Sequence, residues 1–445
     1  MIRYHAAWVL PIATPPVPQG TVAVADGRIA YVGPRHGAPP GTDVDLGDAV
    51  LMPGLVNAHT HLELTSMRGF LEDLDFRSWI LRLTRARQDV LTPDMLVDAA
   101  RYGIAEGLAA GVTTYADTCE SGAAFDAMLE GRVRGIVYQE VFGPAPVACD
   151  EALAGLKLRV QAMQARQTPL VRVGVSPHAP YTVSDRLFAA TARYAIQARL
   201  PIAIHVAESD AEQRLVAAAQ GEFADALIKR GIRVEPRARS PIQLLRGLRV
   251  LDAQPLLIHC VHADATDVHA IAASGCTVAH CPASNAKLGH GVAPLTDFLN
   301  AGIAVGLGSD SMASNNRMSI LSEAWLATLQ QRARNRRPDA VTAARALRLA
   351  TIDGARALRI DDEVGSLERG KAADLAAFPI DQRLGPMHDI ETKVVFALNG
   401  VPASFVMVAG QVLVRDGAVM NADPGLPGRV QHAADLLQQW LAGRE

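Results

Sequence analysis

Long apolar stretches are missing from this 445-residue sequence, and so is a leader pattern at its start. No segment approaches the run of about 18 apolar residues that a membrane-spanning helix requires. The N-terminal stretch, MIRYHAAWVLPIATPP, has no basic start followed by an apolar core and a small-residue cleavage site. We therefore expect a protein that has no membrane partner and works in the cytoplasm.

Cysteine and net charge are also scarce. The chain has 43 lysines and arginines against 46 acidic residues, a formal net charge of −3, which provides no broad cationic surface for a nucleic-acid partner. Its five cysteines form no CxxC pair, and an odd number argues against a disulfide framework. Apolar residues make up 49% of the chain, which is enough for one barrel of ordinary size and a smaller domain.

The two ends of the chain share a texture of short strands and turns. Near the start, TVAVADGRIAYVG alternates in hydropathy around a DG turn, which is typical of a hairpin. Near the end, KVVFALNG and SFVMVAGQVLVRDG show the same texture. We interpret residues 1–52 and 362–425 as one discontinuous β-sandwich domain built from both chain ends. A C-terminal helix over residues 426–445 is predicted to follow it.

Residues 53–361 alternate between short apolar strands and helical segments. One connecting segment, PDMLVDAARYGIAEGLAAG, has Pro93 in its first turn and closes on a glycine, as helices often do. Eight strands are predicted, near residues 51–57, 113–117, 135–141, 171–176, 202–205, 256–259, 277–280 and 304–308. Eight strand–helix alternations favour a closed parallel barrel over an open sheet. The predicted fold class is therefore α/β, a (β/α)8 TIM-like barrel joined to the small β-sandwich domain.

Histidine or aspartate marks the C-terminal end of six of the eight predicted strands. In the first, NAHTHLELT, His59 and His61 lie two residues apart and therefore point the same way along a strand. The other positions lie in SPHAPY, IAIHVAES, LLIHCVHAD, VAHCPASN and VGLGSDSMASNN, and they are His178, His205, His259, His280 and Asp310. Any one of these histidines alone is more simply a packed core residue. Because catalytic residues of such barrels gather at this end, the repeated pattern predicts a metal site.

The donor types indicate which metal. His59, His61, His205 and Asp310 provide three imidazoles and one carboxylate, a set suited to Zn²⁺ or Fe²⁺. The fourth strand, VRVGVS, contains no lysine or carboxylate that could bridge a second ion. We therefore expect a single divalent ion, with zinc and iron both open.

Several motifs taken together resemble the amidohydrolase superfamily, in its mononuclear adenosine-type deaminase branch. They are PGLVNAHTHLE, SPHAPYTVS, HVAES, HCVHAD, HCPASNAKLGHGVAPL, GLGSDSMASNN and GSLERGKAADL, and they span nearly the whole chain. The resemblance implies metal ligation by His59, His61, His205 and Asp310, proton transfer by Glu208, an interaction of His259 with the attacking water, and substrate contact by His178. The roles of His262 and His280 stay open, although His280 is expected to line the pocket.

The reaction that the resemblance implies is hydrolytic deamination of a purine. Asp310 would accept the proton of the attacking water. Glu208, three residues beyond a metal ligand, would protonate the ring nitrogen beside the amino-bearing carbon. His259 would stabilise the attacking oxygen as charge develops on it. Loss of Glu208 is therefore expected to abolish turnover while metal stays bound.

Three stretches bear on the substrate. The third strand, GIVYQEVFGP, lacks the arginine with which homocysteine-binding relatives would hold a carboxylate. The stretch HTHLELTSMRGFLEDLDFRSWILRLTRAR and the insert KRGIRVEPRARSPIQLLRGL resemble the aminodeoxyfutalosine deaminases of the alternative menaquinone route. We therefore expect a small-molecule nucleoside as partner, with conversion of aminodeoxyfutalosine to futalosine and ammonia.

Aminodeoxyfutalosine carries a benzoate group on its 5′ side. Binding this group would require a cation for the carboxylate and aromatic side chains for the ring. Candidates for the forked carboxylate contact are Arg68, Arg77, Arg237 and Arg239. Trp79 and Phe76 are candidates for stacking, and surface or packing roles are the alternative for each of these residues.

Other functions remain open at this point. The same barrel could act on methylthioadenosine, S-adenosylhomocysteine, adenosine, guanine or a chlorotriazine, because substrate choice lies in the loops. A non-catalytic scaffold is a remote alternative, since every expected ligand is present. A homodimer is a further option that the sequence leaves undecided.

Overall fold

The computed structural model describes residues 1–380 and 382–444. Short apolar runs separated by polar turns form an outer sheet and a central barrel, with helices packed around them. The strands within these residues are β1 Ile2–Val9, β2 Val17–Ala25, β3 Arg28–Pro34, β4 Thr42–Asp45, β5 Ala49–Pro53, β6 Leu55–His61, β7 Val112–Cys119, β8 Arg134–Val141, β9 Val171–Pro177, β10 Ala203–Val206, β11 Leu256–His259, β12 Thr277–His280, β13 Val305–Leu307, β14 Asp310–Ser311, β15 Leu375–Pro379, β16 Phe405–Val408, β17 Gln411–Arg415 and β18 Ala418–Val419.

The α-helices of the same residues lie mostly between the strands of the central part. They are α1 Phe76–Val90, α2 Pro93–Ala109, α3 Ala123–Gly131, α4 Cys149–Gln164, α5 Asp185–Ala198, α6 Asp210–Ala218, α7 Glu222–Lys229, α8 Pro241–Gly247, α9 Ala265–Ser274, α10 Pro282–Lys287, α11 Leu295–Asn300, α12 Met312–Asn315, α13 Ile320–Asn335, α14 Ala343–Leu349, α15 Ile352–Ala357, α16 Ile390–Ala397 and α17 Leu426–Ala442. The predicted helix at Pro93 and the predicted C-terminal helix correspond to α2 and α17.

The chain ends together form one nine-stranded sheet. Its order is β18, β17, β16, β15, β5, β1, β2 and β3, with β4 paired to β1. The predicted DG turn joins β2 to β3, where Asp26 and Gly27 have φ values of 52° and 73°, the left-handed geometry of a tight hairpin. Tyr4 of β1 and Phe405 of β16 have ring centroids 5.2 Å apart although two strands separate them, so the sheet curls over its own apolar core. The residue boundaries of the small domain remain a prediction.

The central strands form the parallel barrel. β6, β7, β8 and β9 make one parallel run and β10, β11, β12 and β13 another. The runs meet between β9 and β10, where Val175 bridges to Ile202 and donates its N–H to the carbonyl of Pro201 at 2.9 Å. On the other side, the eighth strand is split: β13 pairs with β12, and β14 pairs with β6. The eight strand positions thus close on themselves, and the (β/α)8 prediction is confirmed.

Close backbone approach explains the split in the eighth strand. A Cβ atom on Gly308 would lie 2.9 Å from the Cβ of His59, a distance that real side chains do not adopt. Glycine therefore lets the eighth strand pass directly against the first. This places Asp310 of β14 beside Thr60 and His61 of β6.

Two predicted strand ranges were wrong in detail. The range 51–57 contains two strands, because β5 ends at Pro53 in the outer sheet and β6 begins at Leu55 in the barrel. Gly54 turns the chain between the sheets, and a side chain there would collide with Thr113. The range 304–308 holds β13 alone, and the strand resumes at Asp310. Both errors fall where glycine interrupts an apolar run.

No helix in the described part of the chain is long and apolar enough to cross a membrane. All five cysteines lie in that part, and each is a buried free thiol. Cys260 and Cys281 pack in the apolar cores, as free cysteines usually do.

Candidate metal centre and substrate cavity

The barrel brings the four predicted ligands together at the carboxyl ends of its strands. His59 and His61 come from β6, His205 from β10 and Asp310 from β14. The Oδ1 atom of Asp310 lies 3.2 Å from His59 Nε2 and 3.6 Å from His61 Nε2. His205 Nε2 lies 3.3 Å from His61 Nε2. The four side chains therefore converge on one point, as the sequence pattern predicts.

Backbone conformation contributes to this convergence. Asp310 has φ = 59° and His259 has φ = 73°, both in the left-handed region that non-glycine residues rarely adopt. Such conformations cost of order 1–3 kcal/mol each and persist where the surrounding fold imposes them. Here they turn a carboxylate and an imidazole inward at strand ends.

Neighbouring groups orient the ligands. Thr118 Oγ1 lies 3.2 Å from Nδ1 of His61, and the carbonyl of His178 lies 3.3 Å from Nδ1 of His205. Each contact leaves the Nε2 atom of the imidazole facing the centre. Such outer contacts set the tautomer of ligating histidines.

Asp310 is held by a second set of donors. The hydroxyls of Ser284 and Ser314 donate to Oδ2, and the N–H of Ser311 donates to Oδ1 at 2.7 Å. Burial alone would raise the pKa of Asp310, but the close contact with His59 and the adjacent histidines hold that pKa well below its usual range. The carboxyl group is therefore an anion.

The buried histidines are in their ligating form. Burial lowers the pKa of His61 to about 4, with the charge of His59 adding to the effect, and it lowers the pKa of His205 well below the ordinary value. Neutral imidazole is the form that binds metals. In addition, His59 Nε2 is buried without a hydrogen-bond partner in the described residues. Two neutral imidazoles, one anionic carboxylate and the unpartnered Nε2 of His59 fit a divalent ion such as zinc.

Glu208 and His259 lie beside this centre. The Oε1 atom of Glu208 is 3.5 Å from His259 Nε2, and both residues are buried. Burial raises the pKa of Glu208 well above its ordinary value, and the charges of Asp310 and Glu212 add to this. Nδ1 of His259 lies 2.9 Å from Oδ1 of Asn285. Burial thus favours the protonated form of Glu208, next to an imidazole of defined orientation.

A cavity of about 440 Å³ opens above the centre, a size suited to a small molecule. One side is the inward face of α1, an apolar wall with three polar residues farther along the helix: Phe76, Trp79, Ile80, Leu83, Thr84, Arg87 and Gln88. The barrel side contributes the remaining polar groups, among them Glu140, His178, Tyr181, Glu208 and Asp310. The cavity therefore has a polar floor and an apolar flank.

The predicted substrate contacts divide into two groups. His178, Trp79 and Phe76 line the cavity as predicted. Arg68 lies outside its wall and forms an ion pair with Glu106, so the structure does not support its role as a substrate contact. The chain turns through a short 3-10 helix, Leu62–Met67, before Arg68, and this carries the side chain away from the cavity.

The other candidate arginines also lie elsewhere. Arg77 is not part of the cavity wall. Arg237 pairs with Asp185, and Arg239 forms a forked pair with Asp264. The sequence could not reveal these ion pairs, because the acidic partner of each arginine lies on a different structural element.

Several charged or titratable residues in or beside the cavity were missed by the sequence analysis. Arg87, Arg230 and Glu140 line the cavity, and His290 lies against Glu208. The carboxyl of Glu140 is buried, with Oε1 lacking any hydrogen-bond partner in the described residues. A signal was available for Glu140 alone, since it lies near the end of the third barrel strand.

His262 and His280 differ in their surroundings. His280 is fully buried with both ring nitrogens unpartnered in the described residues, and it is absent from the cavity wall, so the expectation that it lines the pocket was wrong. It is the last residue of β12, whose four residues are all buried. His262 is partly exposed and lies outside that wall.

The barrel and its four-ligand centre define the protein as a metal-dependent hydrolase. The chain belongs to the amidohydrolase family, whose model matches residues 50–413. It is similar to the 5-methylthioadenosine/S-adenosylhomocysteine deaminase of Moorella thermoacetica, with 33% identity over 421 residues that cover 93% of this chain and 94% of the relative.

Two solved structures extend the comparison. The zinc-bound adenosine deaminase of Xanthomonas campestris is 28% identical, with a TM-score of 0.88 and 98% of each chain covered. The aminofutalosine deaminase of Helicobacter pylori, solved with methylthio-coformycin, is 20% identical, with a TM-score of 0.81 over 93% of this chain and 100% of that one. The second likeness concerns the fold alone.

Proposed function

We propose that this protein is a hydrolytic deaminase of an adenosine-type nucleoside, and that its substrate is aminodeoxyfutalosine. The observation that carries the deaminase assignment is the buried carboxyl of Glu208, whose pKa is raised by burial, beside the four-ligand centre. Deamination of a purine requires an acid at the ring nitrogen next to the carbon that is attacked. A carboxyl group kept protonated by burial can supply that proton at neutral pH.

The residues divide the reaction among them. His59, His61, His205 and Asp310 would hold a zinc ion, which when bound supplies a strong nucleophile by lowering the pKa of water towards about 7. Asp310, as an anion, accepts the proton of the attacking water. Glu208 donates its proton to the ring nitrogen. His259, whose Nδ1 is held by Asn285, presents the lone pair of Nε2 to the attacking water and orients it by accepting a hydrogen bond.

The flank of the cavity supports a substrate with an aromatic extension. Phe76 and Trp79 on α1 have stacked rings with centroids 6.2 Å apart, and both line the cavity. A benzoate-bearing group would meet apolar surface there. The predicted arginines do not reach the cavity, but Arg230, at the end of α7, does.

Of the two arginines that line the cavity, Arg230 is the one whose charge is not already compensated. The guanidinium of Arg87 is already compensated, because it contacts Glu63 Oε1 and Glu120 Oε2, each at 2.8 Å. No ion pair of Arg230 exists within the described residues, and its side chain is exposed at the cavity. A substrate carboxylate would therefore bind at Arg230.

A second candidate substrate is methylthioadenosine or S-adenosylhomocysteine. The Moorella thermoacetica relative bears the name of that activity at 33% identity. The two candidates differ in the group attached to the 5′ side of the nucleoside. The purine and its chemistry are the same, so the site geometry supports both.

A substrate panel on zinc-loaded protein tests both levels of the proposal. It contains aminodeoxyfutalosine, methylthioadenosine, S-adenosylhomocysteine, adenosine and a chlorotriazine, and it follows the ultraviolet change from adenine to hypoxanthine or release of chloride. The Glu208→Gln variant is the control, with an expected loss of at least about 10²-fold in kcat and unchanged zinc content. If no adenine compound is turned over, the deaminase proposal fails.

The Arg230→Gln variant tests the finer assignment. We expect at least a ten-fold rise in KM for aminodeoxyfutalosine and little change for methylthioadenosine, which has no carboxylate. Arg233→Gln is the matched control, since Arg233 is exposed and pairs with Glu235. Preference of the wild-type protein for another nucleoside by kcat/KM would refute aminodeoxyfutalosine as substrate.

A further inference from the structure

His290 is a buried titratable residue that the mechanism above leaves unused. Its side chain is 5% exposed, and Nε2 has no hydrogen-bond partner in the described residues. That nitrogen lies 3.6 Å from Oε1 of Glu208. An unpartnered polar atom in the interior is unfavourable, so its position facing the catalytic acid calls for an explanation.

Two contacts fix His290 at this position. Its backbone N–H donates to the carbonyl of Asn285 at 2.9 Å, which ties it to the end of α10. Its ring meets Phe76 edge to face, with centroids 4.4 Å apart. The imidazole therefore lies between Phe76 of the cavity wall and Glu208.

The carboxyl of Glu208 is unpartnered as well. Its oxygens accept no hydrogen bond within the described residues, and His259 Nε2 and His290 Nε2 lie 3.5 and 3.6 Å from the same Oε1 atom. A movement of about half an ångström would bring His290 into the ordinary hydrogen-bond range. In catalytic sites, such contacts often tighten when substrate binds.

We propose that His290 is a positioning residue for Glu208. In the substrate complex its Nε2–H donates to Oε1 of Glu208, so the second carboxyl oxygen carries the proton and points it at the ring nitrogen. The Glu208 proton passes to the substrate, and His290 keeps its own proton throughout. This inference rests on the deaminase function proposed above and goes beyond it in assigning His290 to the control of Glu208.

Two substitutions separate a positioning role from simple packing. His290→Phe keeps the ring and its contact with Phe76 but removes the donor. His290→Gln keeps an N–H donor of similar reach. With the best substrate of the panel, we expect His290→Phe to lower kcat at least ten-fold with KM changed less than three-fold, and His290→Gln to retain at least one third of wild-type kcat. Zinc content should be unchanged in both variants.

The control is His280→Phe, which replaces another buried histidine that lies outside the cavity wall. It should lower thermal stability without a selective loss of kcat. Equal impairment of His290→Phe and His290→Gln, an unchanged kcat, or a loss confined to KM would overturn the inference. If His290→Phe does not fold, His290→Asn replaces it, because its amide falls short of Glu208. An inactive wild-type protein would instead refute the deaminase function itself.

Discussion

Asn285 determines which nitrogen of His259 faces the reaction. Its Oδ1 atom lies 2.9 Å from His259 Nδ1 and can only accept, so Nδ1 carries the proton and Nε2 presents a lone pair towards Glu208. Ser284, the preceding residue on α10, donates to Asp310. One short helix thus orients two groups of the centre.

Replacing Asn285 tests this orientation. Asn285→Ala should lower kcat/KM about 10- to 100-fold, the usual range for an outer contact of such a site. Asn285→Asp should retain more activity, because an acceptor remains and the buried, unpartnered amide nitrogen is removed. Steady-state kinetics with zinc analysis measures both variants. Equal activity of the Ala and Asp variants would show that the acceptor is unimportant.

His280 gives a residue-scale prediction of pH dependence. Burial lowers its pKa to about 4, whereas an unfolded histidine has a pKa near 6.5. Below about pH 6.5 the unfolded chain binds the extra proton, so stability falls as the pH drops towards 4. Between pH 6.5 and 5 this amounts to about 2 kcal/mol.

The measurement compares urea unfolding of metal-free wild type and His280→Gln at pH 7 and pH 5. The stability difference between the two proteins should shift by about 2 kcal/mol in favour of the variant at the lower pH. A difference independent of pH would mean that His280 does not titrate between those values.

At the scale of elements, α1 is the flank of the substrate cavity and α17 holds it in place. Leu437 of α17 is buried in the same apolar cluster as Phe76 and Trp79. Trp440 Nε1 donates to Asp89 Oδ2 at 3.0 Å, at the far end of α1. The C-terminal helix therefore positions residues that line the cavity, although no residue of α17 itself lines it.

Leu437→Ala tests this support. A buried leucine truncated to alanine typically costs about 2–5 kcal/mol, and the loosened α1 should also raise KM several-fold while kcat changes little. Gln438→Ala, an exposed neighbour, is the control. Thermal unfolding and kinetics together give the answer. A loss of stability with unchanged KM would assign α17 to folding alone.

At the scale of the whole molecule, the centre joins the first, fifth and eighth barrel strands. His59 and His61 lie on β6, His205 on β10 and Asp310 on β14. An ion held by all four therefore links parts of the chain about 250 residues apart. A hydrogen bond between Thr60 and Asp310 already joins the same two parts. An ion that binds only the folded chain stabilises it by mass action.

Zinc removal should therefore lower the Tm of the whole barrel. At a free zinc concentration 100 times Kd the stabilisation is about 2.7 kcal/mol, and a chelator should abolish it reversibly. His61→Ala is the control, because its Tm should respond weakly to zinc. Calorimetry with and without chelator measures the difference. A wild-type Tm that does not depend on zinc would refute the centre as a resident metal site.

Much of the fold and of the centre followed from the sequence alone. Strand periodicity and strand count determined the barrel, and His59, His61, His205 and Asp310 were recognisable because ligands at the ends of parallel strands must meet at one edge. These inferences depend on local chain geometry, which a sequence encodes directly. The role expected of Glu208 came from the resemblance of the HVAES motif to that of known deaminases.

Only the tertiary structure decided which side chains reach the cavity. Arg68 pairs with Glu106 and Arg239 with Asp264, whereas Arg230 faces the cavity and His290 faces Glu208. The eighth strand also divides at Gly308, where its backbone passes against His59. Each of these outcomes depends on partners that are distant in the chain. The physical reason is that packing between elements decides where a long side chain points and where two backbones come close together. Local sequence patterns do not specify that packing.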